Sequence, residues 1–300
     1  MPEGCRERLI AHYGPRIGDW LDAVPGVLGQ VAQRWGLSLK GYHDAGHASV
    51  IATANNSVGR PQLIKAWADP ARYRHEIRAL RLWAGGMTVD VLETDDHNAV
   101  AALEMVGGRP GGSEWRPRET QMVAGALHGL HLRGRDRPHD LCLPLLVDYL
   151  RCELLPRIEK RVLNLDLGPW RPLLEDASRA VSALKEDPAR STVLHGDLYR
   201  ENVPYDSHSH PRLLDPVPMV GDSVFDWAFW TVYYDLGSQT EQRLAKASRI
   251  SRIPVPEIAP WCRLLSVDGL LYYVDTGDPR APKMMEVLSR LSAGGMGGTP

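Results

Sequence analysis

The hydrophobic pattern of the first hundred residues alternates between helical and strand-like spacing. Apolar residues recur every three to four positions in two segments, and short apolar runs flank polar, turn-rich stretches in two others. The pattern therefore predicts a helix, a hairpin, a second helix and a second hairpin. These segments cover, in order, residues 20–39, 49–52 with 62–67, 73–83, and 89–92 with 99–106.

A glycine-proline cluster at residues 107–112 marks a change in this pattern. The chain after it is mostly of helical spacing, at 119–132, 145–163, 173–184 and from Phe225 onward, and a strand-loop-strand segment at 192–214 interrupts it. We therefore expect two domains, residues 1–107 and 108–300. The glycine-rich tail at 293–300 is expected to be disordered.

Composition and charge narrow the class of protein. The 300 residues are 43% hydrophobic with a net charge of -2, which allows a substantial core and gives no electrostatic sign of a nucleic acid or an anionic membrane as partner. The charged amino terminus excludes a signal peptide, and no apolar run reaches the roughly 18 residues of a membrane span. The four cysteines form no C-x-x-C pair, so neither a zinc nor a redox motif is indicated. We expect a cytoplasmic monomer or homodimer.

The stretch 193–203, Val-Leu-His-Gly-Asp-Leu-Tyr-Arg-Glu-Asn-Val, carries the candidate chemistry together with Leu-Leu-Asp-Pro at 213–216. Phosphoryl transfer needs a positioned acceptor and cations that neutralise charge on the phosphate oxygens. Asp197 can accept a hydroxyl proton. Asn202 and Asp215 offer the oxygen ligands that Mg²⁺ prefers. These loops therefore predict a metal-phosphate site.

The pattern H-G-D-x-x-x-x-N with a later aspartate resembles the catalytic loop of the aminoglycoside phosphotransferases, a branch of the protein-kinase-like fold. The resemblance narrows to the aminoglycoside/hydroxyurea antibiotic resistance kinases, which include streptomycin 6-kinase, and spans residues 18–230. It implies an α+β, two-lobed fold, with a small N-terminal lobe built on an antiparallel sheet and a larger, mainly helical C-terminal lobe. The matching blocks are residues 20–25, 34–37, 46–50, 80–83, 103–104 and 215–226.

The same resemblance implies roles in catalysis and metal binding. Asp197 would be the catalytic base, and Asn202 and Asp215 would bind Mg²⁺. Asp226 would be structural by bracing the catalytic loop, and His195 would be structural too, with a role as base as the alternative.

Nucleotide binding would fall to residues 1–107. Lys65 would contact the phosphates and Glu76 would hold it as an ion pair, a solvated helix face being the alternative for Glu76. Gly46 and Ser49 would belong to a loop over the phosphates, and Glu104 and Val106 to the hinge that binds adenine.

The acceptor would meet the nucleotide in the cleft between the lobes. Glu201, Tyr234 and Asp235 are candidate acceptor contacts, with plain packing as the alternative for Tyr234 and Asp235. A polycationic acceptor would need clustered carboxylates in residues 108–300. The candidates are Asp235, Glu241, Asp268, Asp275 and Asp278.

The expected activity is transfer of a phosphoryl group from ATP, or alternatively GTP, with Mg²⁺, to a hydroxyl of a small-molecule antibiotic. An aminoglycoside, a nucleoside or a peptide antibiotic would fit, with resistance or producer self-protection as the biology. One alternative is a metabolic kinase acting on a sugar, an amino alcohol or a nucleoside. Another is a kinase-like binding protein without catalysis, although the base, the metal ligands and the phosphate lysine are all present.

Overall fold

A computed structural model describes residues 1–44, 48–107, 118–135, 138–168, 171–172, 174–175 and 184–293. Contacts along the chain divide it into two compact units, Met1–Gly107 and Gly108–Pro300. Over the ranges just given, no helix combines the length and the apolar character that a bilayer crossing demands.

The first unit contains an antiparallel sheet of five strands in the order β1-β2-β3-β5-β4. Strand β3 lies in the middle, and its Lys65 pairs with Ile51 on one side and Ala101 on the other. The elements are α1 (Glu3–Tyr13), α2 (Gly18–Arg34), β1 (Ser38–Tyr42), β2 (Ser49–Asn55), β3 (Pro61–Trp67), α3 (Pro70–Leu82), β4 (Val91–Asp95) and β5 (Val100–Glu104).

The core of this unit forms where α1 and α2 pack on the sheet. Buried side chains of α2 recur at helical spacing, as at Leu21, Val24 and Leu28, and meet small residues of β2 and β3. Helix α3 begins where the sequence places a capping signal: the side chain of Asp69 accepts a hydrogen bond from the backbone N–H of Ala71 at 2.8 Å.

The second unit is mainly helical around a two-stranded antiparallel ribbon, β6 with β7. Helix α7 is buried along its whole length and packs against α8 and α9. The elements are α4 (Glu119–Gly134), α5 (Leu146–Tyr149), a π-helical turn (Leu150–Leu154), α6 (Leu155–Asn164), β6 (Ser191–Leu194), β7 (Met219–Asp222), α7 (Val224–Tyr233), α8 (Thr240–Ser251), α9 (Val255–Asp275) and α10 (Ala281–Ala293).

The predicted α+β class, with a sheet in the N-terminal part and mostly helices after it, is confirmed. The predicted strand that ends at residue 214 is only partly present: the chain there makes single bridges, such as Pro211 with Tyr205, and the regular partner of β6 is β7. Pro216 and Pro218 lack the N–H that a ladder needs, so a regular strand starts only after them. Helix α1 and strand β1 had no counterpart in the prediction. Most of the predicted helix at 173–184 and the tail at 294–300 lie outside the described residues.

Candidate active site

Lys65 and Glu76 form a buried ion pair within the first unit. The Nζ of Lys65 donates to Oε1 of Glu76 at 2.6 Å, and the two side chains are only 6% and 2% exposed. The other carboxylate oxygen, Oε2, accepts from Nε1 of Trp67 at 2.7 Å, and the Lys65 ammonium lies 4.8 Å from the centre of the Trp67 ring. A carboxylate held by two donors can keep the lysine charged away from bulk water.

Asp226, in the first turn of α7, accepts three hydrogen bonds. Its Oδ2 accepts from the backbone N–H of His195 at 2.7 Å and meets Nε2 of His131 at 2.8 Å, while Oδ1 accepts from the backbone N–H of Gly196 at 2.8 Å. Burial acts to raise the pKa of Asp226. Hydrogen bonds, the largest from His131 and another from the backbone N–H of Gly196, and electrostatic contributions from nearby histidines together outweigh it, so the pKa lies below its usual value and the carboxylate stays ionised.

Gly196 allows the close approach of two backbone segments. Its φ is +77°, and a Cβ there would lie 2.2 Å from the carbonyl oxygen of Val217. The backbone N–H of Val217 in turn donates to the carbonyl of His195 at 2.8 Å. The loop after β6 is therefore pressed against the segment before β7, and this position accepts glycine only.

His195 is fully buried between these same two segments. The backbone N–H of Asp197 points to its Nδ1 at 3.4 Å, and the backbone of Leu214 near the imidazole acts to raise its pKa. Burial lowers the pKa of His195 to about 4, against the opposing charges of Asp226 and Asp215. A neutral imidazole thus lies near the backbone of Asp197 and that of Leu214, the residue before Asp215.

The chain between Asp197 and Asn202 folds into a short 3₁₀ turn, Arg200–Asn202. The side-chain amide of Asn202 donates from Nδ2 to the carbonyl oxygen of Asp197 at 2.9 Å. The carbonyl of Asn202 accepts from the backbone N–H of Leu214 at 2.8 Å. Asp215 follows with a φ of +52°, a left-handed conformation that aspartate tolerates better than most residues. Asp197, Asn202 and Asp215 are thereby joined in one hydrogen-bonded framework.

The three predicted acceptor contacts differ in exposure. Glu201 is exposed, Asp235 is half-buried, and Tyr234 is buried. The hydroxyl of Tyr234 donates to Oε1 of Glu119 at 2.9 Å. Tyr234 is therefore hydrogen-bonded in the interior of the second unit, whereas Glu201 and Asp235 reach the surface of that unit.

The remaining predicted nucleotide contacts lie at strand ends. Ser49 is buried at the start of β2, where it pairs with Trp67. Glu104 ends β5, and its Oε2 accepts from the backbone N–H of Asp90 at 3.2 Å. Val106 is half-buried two residues further on. Gly46 lies outside the described residues.

Arginines pair with most of the carboxylates that could have received a polycation. Arg157 binds Asp268 through two hydrogen bonds of 2.8 and 2.6 Å. The other pairs are Arg161 with Asp275 at 3.3 Å, Arg280 with Asp278 at 2.7 Å, and Arg290 with Glu241 at 3.9 Å. Each of these four acids therefore has a guanidinium group within 4 Å.

Sequence reasoning missed three residues of this region, His131, Glu119 and Arg200. Glu119 and His131 are buried on α4 together with Val123 and Leu127, all spaced four residues apart. A polar residue within the apolar stripe of a helix was the signal that could have found them.

An N-terminal unit with a buried lysine-glutamate pair, followed by a helical unit with a braced H-G-D loop, defines a protein-kinase-like phosphotransferase that acts on small molecules. The family model described as aminoglycoside/hydroxyurea antibiotic resistance kinase matches residues 34–257, and the chain belongs to that family. The predictions of this family and of a phosphotransferase of the antibiotic-resistance type are confirmed.

Known proteins similar to this chain agree with the assignment. It is 27% identical to streptomycin 6-kinase of Streptomyces glaucescens over 73% of this chain and 72% of that one. It is 25% identical to streptomycin 6-kinase of Streptomyces griseus over 84% and 80%. The crystal structure of aminoglycoside phosphotransferase APH(4)-Ia in complex with AMP-PNP and hygromycin B has the same fold, with a TM-score of 0.64, 14% identity, and coverage of 90% and 99%.

Proposed function

We propose that this protein transfers the terminal phosphoryl group of ATP to a hydroxyl group of a small-molecule antibiotic, with Asp197 as the base. Asp197 orients the acceptor hydroxyl and takes its proton as the oxygen attacks phosphorus. The bond from phosphorus to the bridging oxygen of ADP breaks on the opposite side. Phosphorylation adds negative charge to the drug, which supports a role in resistance or self-protection.

The observation that carries this proposal is the hydrogen-bonded framework of the loop. The amide nitrogen of Asn202 donates to the carbonyl of Asp197. Asp226 accepts hydrogen bonds from the backbone N–H groups of His195 and Gly196, the two residues before that base. Such a framework fixes the backbone on both sides of the base. His195 and Asp226 thus support the loop and take no part in proton transfer, in this proposal.

The residues present fit a magnesium ion. Because the amide nitrogen of Asn202 donates to Asp197, its amide oxygen is the atom that can ligate a cation. Asp215 supplies a carboxylate, and its backbone position is coupled to Asn202 through Leu214. Oxygen ligands of this kind suit Mg²⁺, and nucleotide phosphates and water would complete its shell. When bound, the ion neutralises charge on the phosphate oxygens.

Lys65 is the proposed phosphate contact in the first unit. Its place in the central strand and its pairing with Glu76 hold the ammonium in one position. Preorganised charge of this kind stabilises a transition state better than a mobile cation would, because nothing has to reorganise during the reaction. Glu104 and Val106 are proposed to contact adenine through their backbone.

The acceptor antibiotic does not have to be a polycation. Four of the five acids predicted to bind a polycation are paired with arginines. A polycationic aminoglycoside would have to compete with those guanidinium groups. Nucleoside and peptide antibiotics therefore belong in the test beside aminoglycosides.

The test is to incubate the purified protein with Mg-ATP and a panel of streptomycin, hygromycin B, hydroxyurea, nucleosides and cyclic peptides. Mass spectrometry should find one added phosphoryl group on a member of the panel. Asp197→Asn should abolish the product, while Asp166→Asn, at an exposed aspartate after α6, should leave it unchanged. Simple sugars and amino alcohols are included as a second panel, and a product formed only with these would favour a metabolic kinase. A wild-type protein that neither binds nor hydrolyses ATP would contradict the proposal.

A further inference from the structure

A partly buried ion pair fastens the candidate catalytic loop to the start of helix α4. Arg200 lies between Asp197 and Asn202 in sequence, and its guanidinium grips the carboxylate of Glu119. Nε donates to Oε1 at 2.7 Å and Nη2 to Oε2 at 3.3 Å. The side chain of Glu119 is 3% exposed and that of Arg200 is 17% exposed. A two-pronged contact of this kind fixes orientation as well as distance.

A third residue completes the cluster. The hydroxyl of Tyr234, next to the end of α7, donates to the same Oε1 of Glu119 at 2.9 Å. Glu119 thus accepts from the catalytic loop and from α7 at once. The side chains of Glu119, Arg200 and Tyr234 have no part in the proton transfer or the metal binding proposed above. Another role must therefore explain why they are paired in the interior.

The turn that Arg200 begins is the turn that carries the metal ligand. The carbonyl of Arg200 accepts from the backbone N–H of Val203 at 3.0 Å, which closes the turn around Asn202. Asn202 in turn donates to the carbonyl of Asp197 and accepts from Leu214. A shift of Arg200 would therefore be transmitted to the proposed base and to both proposed metal ligands.

We propose that Glu119 and Arg200 are positioning residues of the phosphotransfer site, which set the placement of Asn202 relative to Asp197 by anchoring the turn between them. The proposal rests on the function proposed above. Glu119 supplies the fixed point because it belongs to the first turn of a long helix, and Tyr234 holds its carboxylate in place.

The chain offers a matched control for this pair. Arg190 grips Asp222 with its guanidinium at 2.8 to 3.1 Å and also donates to Glu257 at 2.7 Å, and its side chain is 19% exposed, close to the value for Arg200. Arg190 precedes β6, whereas the catalytic loop follows that strand. Lysine cannot reproduce the two-pronged contact of an arginine with a carboxylate. Arg200→Lys and Arg190→Lys therefore impose the same chemical change at two partly buried contacts, Arg200 with Glu119 and Arg190 with Asp222.

The measurement is Mn²⁺ binding in the presence of AMP-PNP, followed by electron paramagnetic resonance, which needs no acceptor. Arg200→Lys should weaken Mn²⁺ binding roughly 10-fold or more, as loss of groups that orient metal ligands does. Glu119→Gln should do the same, and it provides the test if Arg200→Lys does not fold. Arg190→Lys should bind Mn²⁺ like the wild type, although its melting temperature falls.

Kinetics provide the second measurement. With an acceptor found in the panel, Arg200→Lys should lower kcat roughly 10- to 100-fold with little change in the KM for the acceptor. Equal Mn²⁺ binding in wild type, Arg200→Lys and Glu119→Gln would overturn the positioning role while leaving the proposed function intact. A wild-type protein without any nucleotide-dependent Mn²⁺ binding would remove the proposed function itself.

Discussion

At the scale of single residues, the site depends on buried polar groups whose charge states are set by their neighbours. Asp226 stays ionised in the interior because His131 and two backbone N–H groups satisfy its oxygens. His195 lies next to it and stays neutral because a second buried charge would have no water around it. Because both charge states depend on burial, Asp226 and His195 make the stability of the fold sensitive to acid.

We predict that stability falls between neutral pH and pH 4 because His195 titrates differently in the folded and unfolded states. Burial lowers its pKa to about 4, from 6.5. Below 6.5 the unfolded chain takes up a proton that the folded chain refuses, so the folded state loses stability as the pH falls through this window. The loss attributable to His195 is about 3 kcal/mol. Urea unfolding of wild type and His195→Gln at several pH values, in metal-free buffer, measures it.

His195→Gln lowers stability at pH 7, but its stability should then depend less steeply on pH than that of the wild type. His97→Gln, at an exposed histidine of the β4–β5 turn, should follow the wild-type slope. Other titratable groups near His195 are Asp226, Asp215 and His131. An unchanged slope in His195→Gln would assign the acid sensitivity to them.

The sequence could predict those residues of the site that carry a local motif. Asp197, Asn202 and Asp215 stand at recognisable spacing, and Lys65 stands out as one of only six lysines in the chain. Glu119, His131 and Arg200 have no such motif. Each acts through a partner that is 80 or more positions away in sequence, and only the tertiary fold creates those contacts.

At the scale of elements, the ribbon of β6 and β7 holds the catalytic loop at one end. Gly196 lies two residues after the end of β6, against the backbone of Val217. Position 196 requires glycine for two reasons: its φ is positive, and the carbonyl oxygen of Val217 occupies the space that a Cβ would need.

Gly196→Ala should destabilise the protein by more than the cost of placing alanine at a positive φ. A left-handed non-glycine residue costs of the order of 1–3 kcal/mol, and the clash with the Val217 carbonyl adds to it. Gly277→Ala is the control, since Gly277 has a φ of +65° with nothing within 4 Å of its Cβ position. Thermal unfolding should show the larger loss for Gly196→Ala, and phosphotransfer should fall for this variant alone. Equal losses would show that the loop adjusts to a methyl group.

The elements themselves were predictable where the hydrophobic period was long or clearly bounded. Helix α4 and the two hairpins of the first unit followed from it. Strand β1 did not, because three of its five residues are exposed and its ladder carries a bulge between Leu39 and Gly41. The π-helical turn before α6 was also hidden, since an inserted residue leaves helical spacing almost unchanged.

At the scale of the whole molecule, the residues with proposed roles fall in both compact units, and each unit has its own core. Lys65 and Glu76 belong to the first unit, and Asp197, Asn202 and Asp215 belong to the second. A ligand that contacts only the folded protein stabilises it by an amount set by its concentration and affinity. Stability is thus a readout of nucleotide binding that requires no knowledge of the acceptor.

We predict that AMP-PNP and Mg²⁺ together raise the free energy of unfolding by about 2.7 kcal/mol at a hundred times the dissociation constant. Lys65→Ala should lose most of this gain, since it removes the proposed phosphate contact. Asp215→Asn should lose only the part that depends on Mg²⁺, because AMP-PNP alone keeps its contacts in the first unit. Asp166→Asn should keep the full effect. Thermal shifts measured with nucleotide, with metal and with both separate these cases, and a Mg²⁺ effect that survives in Asp215→Asn would exclude this carboxylate as a metal ligand.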